Sequence, residues 1–321
     1  DPRRADCGTE RERDVSVKFD RAAVIGVGLI GASLAHAMRA RGLAGTIAGF
    51  DLDADVRARA VKCGAVDDAP DALDAALKGA ALVIVSTPVG AMPAVLAAVA
   101  AKADDGALVI DVGSVKGAVV EAAAALSPRV HIVPCHPVAG TEQSGPEAGF
   151  ATLFEKRWAI ITPLQRSDGP YMAAVEKAAA LWRAVGSNVE MMDHQHHDLA
   201  LAITSHLPHL IAFTLVGAAD DLESVAEAEI VKYSAGGFRD FTRIAASDPV
   251  MWRDVFLNNK AAVLEVLGRF SEELALLQRA IRWGDAETLE KVFRRGRELR
   301  RAIVAAGQES DVPNFGRDAK G

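Results

Sequence analysis

Gly26-Val27-Gly28-Leu29-Ile30-Gly31 follows the apolar run Ala22 to Ile25 and leads into the alanine-rich segment Ala32 to Ala40. That order reads as strand, turn and helix, and the glycine spacing is that of a dinucleotide-binding turn. Gly26 permits the tight turn, Gly28 lets the backbone approach a pyrophosphate, and Gly31 allows close helix packing. Leu29 and Ile30 open the helix, whose N–H groups and positive dipole end are offered to the phosphates. Asp51 stands twenty residues after Gly31, at the end of a second predicted strand, Thr46 to Phe50. Its carboxylate is suited to accept hydrogen bonds from both ribose hydroxyls and to repel a 2′-phosphate, so NAD is the expected cofactor in preference to NADP. A merely structural glycine turn is the weaker alternative.

Leu82 to Val85 and Leu108 to Val112 are continuous apolar runs of the kind that fill a parallel sheet covered on both faces. Val130 to Val133, Ala159 to Ile161 and Val189 to Met192 are expected to extend the same sheet. The fold class is therefore α/β. A Rossmann-type, doubly wound, mostly parallel sheet over residues 19–192 is followed by an all-helical domain over 193–306, with flexible tails at 1–18 and 307–321. The helical part is broken by a Gly236-Gly237 loop and by Gly284. Asp248 is placed to cap and Pro249 to occupy a first turn. Val255, Val263, Val266, Leu267, Phe270, Leu274, Leu277 and Ile281 then form a stripe that predicts one helix from Pro249 to Trp283. A helix of that length suggests an intersubunit role. Asp285 is placed to cap a last helix reaching about Ala306.

Composition narrows the function. The chain has 321 residues, half of them hydrophobic, enough for two packed domains. A net charge of −7 provides no basic field for non-specific nucleic-acid binding. Cys7, Cys63 and Cys135 are odd in number and unrelated in spacing, which suggests neither a disulfide framework nor a zinc site and fits a reducing cytoplasm. The first twenty residues alternate charges and lack the apolar core of a signal peptide. Gly79 to Ala101 is uncharged, but Pro88, Gly90 and Pro93 interrupt it, so strand, turn and helix are expected there instead of a membrane span.

Several loops are expected at the carboxyl edge of the sheet, where an open parallel sheet binds its ligand. Ser86, Thr87 and Pro88 end one strand, and Thr87 either lines the cofactor or simply ends the strand. Asp111-Val-Gly-Ser-Val-Lys116 and Cys135-His-Pro-Val-Ala-Gly-Thr-Glu142 are placed to face a nicotinamide. With His194-Gln-His-His-Asp198, Ser205-His-Leu-Pro-His209, Gly236-Gly-Phe-Arg-Asp-Phe-Thr-Arg243 and Ser247-Asp-Pro-Val-Met-Trp-Arg253, the set resembles the prephenate dehydrogenase family of tyrosine biosynthesis, which includes arogenate and cyclohexadienyl dehydrogenases. The resemblance runs from about Arg21 to about Gln278.

It implies a Rossmann domain joined to a helical dimerisation domain, hence a homodimer acting on a small molecule. It also implies that a hydride passes from the ring carbinol carbon to NAD while the ring carboxylate leaves as carbon dioxide. His136 matches the family's catalytic histidine, a base for the carbinol hydroxyl that a neutral imidazole can supply near pH 7. Ser114 matches a position near the reacting hydroxyl and is expected to orient His136. Arg243 matches a carboxylate-binding arginine, whose planar fork suits that task. His197 and His209 are implied to approach the substrate pocket, whereas His194 and His196 look like solvated turn residues. Lys116 either gives positive charge to the substrate or is a solvated group at a helix start. Thr141, Glu142 and Trp252 match pocket or interface positions, with core packing equally open for Trp252.

No metal is expected, since hydride transfer to NAD needs no Lewis acid here. Two other readings compete. A β-hydroxyacid dehydrogenase would use a lysine from the helical half, with Lys260 the candidate, and an NAD-sensing protein would need no proton acceptor. Prephenate and arogenate stay undivided, because Glu142 suits an ammonium but is expected with either substrate. Tyrosine inhibition, if any, is expected at the active site or dimer interface, since residues 307–321 are too few for a regulatory domain.

Overall fold

The computed structural model describes residues 17–141, 143–221 and 236–305. Five strands, β1 (Phe19–Ile25), β2 (Ala44–Phe50), β3 (Leu82–Val85), β4 (Leu108–Asp111) and β5 (His131–Val133), form a parallel sheet in the order β2-β1-β3-β4-β5. Helices α1 (Leu29–Ala40), α2 (Ala54–Lys62), α3 (Leu73–Leu77), α4 (Met92–Lys102) and α5 (Gly117–Ala124) connect them. β3 and β4 are buried along their whole length, as continuous apolar runs require. The strand order reverses between β1 and β3, and at such a switch point the loops leaving the carboxyl ends splay apart into a crevice. The uncharged stretch Gly79–Ala101 resolves into β3, a short turn and most of α4.

Only β5 of the three expected extensions joins this sheet. β7 (Trp158–Ile161) and β8 (Asn188–Met191) instead pair with β6 (Cys135–Pro137) in a second sheet, β6-β7-β8, on which α6 (Gly169–Ala184) also packs. β6 and β7 run antiparallel, with His136 opposite Ile160, and β7 and β8 run parallel. Pro134 separates β5 from β6. It has no N–H to continue a ladder, while its carbonyl accepts from Thr162 at 2.9 Å and so hands the chain to the second sheet.

The helical half begins at α7 (His194–Leu201), where the Asp193 carboxylate accepts from the Gln195 and His196 N–H groups. A π-helical turn, Ala202–His206, joins α7 to α8 (Leu207–Asp221). Pro208 explains the turn, because its missing N–H and its ring exclude a regular bond to residue 204. Gly236 and Gly237, expected in a loop, open α9 (Gly236–Thr242), which a 3₁₀ turn, Arg243–Ala246, follows.

The single helix expected from Pro249 to Trp283 is two, α10 (Pro249–Asn258) and α11 (Lys260–Trp283). The break falls at Asn259, which is buried and leaves helical geometry at φ −107° and ψ 32° while its amide bonds to residues far away in sequence. The start is as expected, with Pro249 in the first turn and Asp248 accepting from the Val250 and Met251 N–H groups. Gly284, at φ 67°, ends α11 before α12 (Ala286–Ala305).

Candidate active site

The three glycines of the first turn differ in what surrounds them. Gly26 has φ 88°, and a Cβ there would lie 2.7 Å from the Ser86 carbonyl oxygen. A Cβ on Gly31 would come within 2.6 Å of the Gly26 carbonyl, so both residues are required by backbone packing. Gly28 has open space on that side. It is the glycine whose missing side chain leaves room for something outside the protein. Ser86 closes the turn by donating its hydroxyl to the Gly26 carbonyl at 2.5 Å.

Leu29 and Ile30 form the first turn of α1, which carries no acidic residue to oppose its positive end. Asp51 accepts from Val27 N–H with one oxygen and from Asp53 N–H with the other, both at 3.1 Å, and each oxygen keeps lone pairs for a ribose. The Thr87 hydroxyl oxygen is buried without a hydrogen-bond partner, and Pro88 beside it is exposed. An open glycine, an unopposed helix start, a carboxylate at the β2 end and an orphaned hydroxyl fit a dinucleotide along this edge.

Farther along the edge, Asp111 ends β4 with its side chain fully enclosed. It accepts from Gly113 N–H at 2.9 Å and Cys135 N–H at 3.0 Å and pairs with the Lys116 ammonium. Lys116, whose side chain has no exposed surface, also donates to the Cys135 carbonyl at 2.7 Å. Both expectations for Lys116 are thereby corrected. Its charge is spent inside the protein on Asp111 and on holding β6, because an unpaired ammonium at that depth would be costly.

His136, on β6, is 7% exposed. Its Nδ1 lies 2.8 Å from His197 Nε2, and His197 Nδ1 lies 2.8 Å from Asp198 Oδ1. Burial, reinforced by His197, Lys116 and His206, holds His136 well below the ordinary histidine range, so the ring is neutral at pH 7. With Nδ1 engaged, Nε2 is the nitrogen left to take a proton. The residue holding His136 is His197. No hydrogen bond joins it to the half-buried Ser114 among the described residues.

His206 is buried beside Asn259, 3.1 Å from its amide nitrogen, and burial lowers it to about 4. His209 stacks on Trp252 at 3.6 Å between ring centroids, and burial, with the nearby Arg243 charge, lowers it as well. Arg243 is exposed at the start of its 3₁₀ turn. Trp252 packs with Val89 and Val115 from loops of the sheet half, so core packing between the halves describes it. Thr141 is half-buried and accepts from Gln143 N–H, while Glu142 lies outside the described residues. His196 is exposed and His194 partly so.

The family profile described as "Prephenate dehydrogenase, nucleotide-binding domain" matches residues 34–191, and "Prephenate dehydrogenase, dimerization domain" matches residues 193–295. A cyclohexadienyl dehydrogenase of Zymomonas mobilis is 39% identical over 89% of this chain and 96% of its own. The chain belongs to the prephenate dehydrogenase family. A prephenate dehydrogenase of Bacillus subtilis is 34% identical over 92% of this chain and 79% of its own. The crystal structure of prephenate dehydrogenase from Aquifex aeolicus in complex with hydroxyphenyl propionate and NAD+ superposes with a TM-score of 0.81 at 33% identity, covering 90% of this chain and 99% of that one.

Within this prephenate dehydrogenase fold, sequence reasoning missed Asp111, Asp198 and Asn259 as parts of the site. Asp111 had left a trace, since a carboxylate closing the apolar strand Leu108–Asp111 is buried wherever the strand is. Asp198 stood beside His197 in a quoted motif, and adjacency alone does not show that the two side chains bond. Nothing local marked Asn259, which bonds across 61 residues of sequence to the Asp198 carbonyl at 2.8 Å.

Proposed function

We propose that the chain catalyses the NAD-dependent oxidative decarboxylation of prephenate to 4-hydroxyphenylpyruvate, of arogenate to tyrosine, or of both, in tyrosine biosynthesis. The observation that carries the reading is His136, buried, neutral and held by one nitrogen at the same sheet edge as the open Gly28. NAD, when bound, accepts the hydride of the ring carbinol carbon, and loss of the ring carboxylate as carbon dioxide makes the ring aromatic. His136 takes the proton of the carbinol hydroxyl at Nε2, so that the oxygen can form its double bond as the hydride departs. Aromatisation turns that oxygen into a phenolate, and the imidazolium returns the proton to it. The base is thus regenerated without net proton uptake. Arg243 binds a substrate carboxylate, His209 and Thr141 line the pocket, and Ser114 meets the reacting hydroxyl. Thr87 and Asp51 hold the cofactor with the glycine turn.

The active form in this reading is a cytoplasmic homodimer through the helical half. Leu257 is 66% exposed, Ile281 68% and Trp283 74%, and we assign this apolar surface to the subunit contact. His194–Ala219 is long and apolar enough to cross a membrane by length and composition, with mean hydropathy 1.7. Its first part carries His197, Asp198 and His206 in the site, and its exposed Leu215 and Val216 add to the apolar surface we assign to a second subunit. Lys260, on which a β-hydroxyacid dehydrogenase would depend, is exposed at the start of α11.

NADH formation from prephenate and from arogenate, each with NAD and with NADP, tests the reading. Turnover of at least one substrate with NAD preferred is expected. No turnover of either, under conditions where NAD binds, would refute it.

A further inference from the structure

Asp198 is a buried carboxylate at which both halves of the chain meet. Oδ1 accepts from Lys116 N–H and contacts His197 Nδ1, each at 2.8 Å, and Oδ2 accepts from Gly117 N–H at 2.8 Å. Its backbone carbonyl accepts from Asn259 Nδ2. Burial acts to raise the Asp198 carboxyl, and the bonds from His197, Lys116 and Gly117 overcome it, so the group stands below its ordinary range and is ionised.

We propose that Asp198 is a positioning residue that decides, through His197, which nitrogen of His136 carries the proton and which receives the substrate's. The inference rests on the reading of His136 as the base. An ionised carboxylate only accepts, so His197 must carry its N–H on Nδ1. A neutral imidazole has one N–H, which leaves a lone pair on His197 Nε2. The nitrogen opposite, His136 Nδ1, must then be the donor, and the lone pair of His136 is left on Nε2. This proton placement satisfies both contacts, whereas the opposite tautomer of His136 would set two lone pairs against each other.

The same chain of groups meets the charge that catalysis creates. When His136 gains a proton it becomes a buried cation facing His197 from α7, Lys116 from the loop before α5, and His206 from the π turn. His197 in turn faces Asp198, Lys116 and Asp111, and the Asp111 charge is already matched by Lys116. Asp198 is therefore the unmatched negative charge of the cluster. It stays ionised throughout, stabilising the imidazolium across the His136–His197 hydrogen bond until the proton returns to the phenolate.

Asp198 also satisfies the first N–H groups of α5, so the test must separate positioning from folding. Asp198→Asn keeps an acceptor for His197 and removes the charge. His197→Gln breaks the link and leaves Asp198 to cap α5. The pH dependence of kcat is measured for the full chain, both single variants, the double variant and His136→Asn, with NAD binding and thermal unfolding followed alongside. Both single variants should lower kcat by about a hundredfold, the small end of what loss of a positioned base costs. Asp198→Asn should move the acid limb to lower pH, since a base without its counter-charge protonates less readily, and the double variant should be no worse than the poorer single one. An unmoved acid limb in Asp198→Asn overturns the proposal, as do additive losses, which would mean that Asp198 acts only on α5. Should Asp198→Asn not fold, His197→Gln decides alone by its kcat, and a near-normal kcat there overturns the proposal. Near-normal kcat in His136→Asn is a different failure and removes the base itself.

Discussion

The sheet half and the helical half solve the burial problem differently. The first packs its apolar side chains into one cluster running from Val17 to Val185, with Trp182, Tyr171, Phe19 and Phe154 fully enclosed. In the second, the buried clusters are small, built around Trp252 and Val255 in one case and Val263 and Val266 in the other. Large side chains on α11 and α12, among them Ile281, Trp283 and Phe293, remain mostly exposed. One half supplies its own core. The other is a set of helices completed on one side by the sheet half and, in the proposed homodimer, by a second copy on the other, and the proposed base lies where its contact with the sheet half is polar.

The largest effect is expected inside the self-sufficient half. Lys116→Met leaves the Asp111 carboxylate enclosed without its cation, and urea unfolding should show a loss of about 3–5 kcal/mol. A loss below 1 kcal/mol would mean that the pair is not as sealed as its burial implies. Arg243→Ala tests the open half instead. Losing a hydrogen bond to a charged group should raise KM about tenfold to a hundredfold with kcat nearly unchanged. A fall in kcat with KM unchanged would remove Arg243 from carboxylate binding.

Acid should act on the histidines between the halves. His136, His197 and His206 are all depressed by burial, His206 to about 4, while unfolded histidines protonate near 6.5. Between those limits the unfolded chain binds more protons, so their contribution is fully present above pH 6.5 and is lost as pH falls toward about 4. Thermal unfolding from pH 7.5 to 4.5 should show a falling midpoint, and a midpoint constant over that range would contradict the burial of the cluster. The smallest effect on a single folded chain is expected for Ile281→Asp, within about 0.5 kcal/mol as for other surface substitutions. Light scattering should nonetheless show the particle mass halved with NAD binding retained. An unchanged mass would put the subunit contact elsewhere.

How much of this was legible in the sequence follows the same division between local and distant causes. The glycine turn, β3, β4 and the Asp248-Pro249 helix start are written in residues a few positions apart, and the structure has them where expected. The second sheet was hidden because period and composition identify a strand without naming its neighbour, and Pro134 redirects the chain in a single residue. The break at Asn259 arises from bonds to Asp198 and His206, more than fifty residues away, which no helical stripe can register. Lys116 was misread because a lysine at a helix start is ordinarily solvated, and its burial depends on Asp111 and on the arrival of β6. His136 and Arg243 were picked out by motif, whereas His197 gained its bond to His136 only when α7 was laid against β6.

The most direct test of the whole account is kcat for prephenate- or arogenate-driven NADH formation in His136→Asn, with NAD affinity measured on the same preparation. The variant should bind NAD normally, keep its KM within a few fold, and lose about a hundredfold to ten-thousandfold in kcat, the range for a positioned base. A folded, NAD-binding variant that turns over at close to the unmodified rate would contradict it.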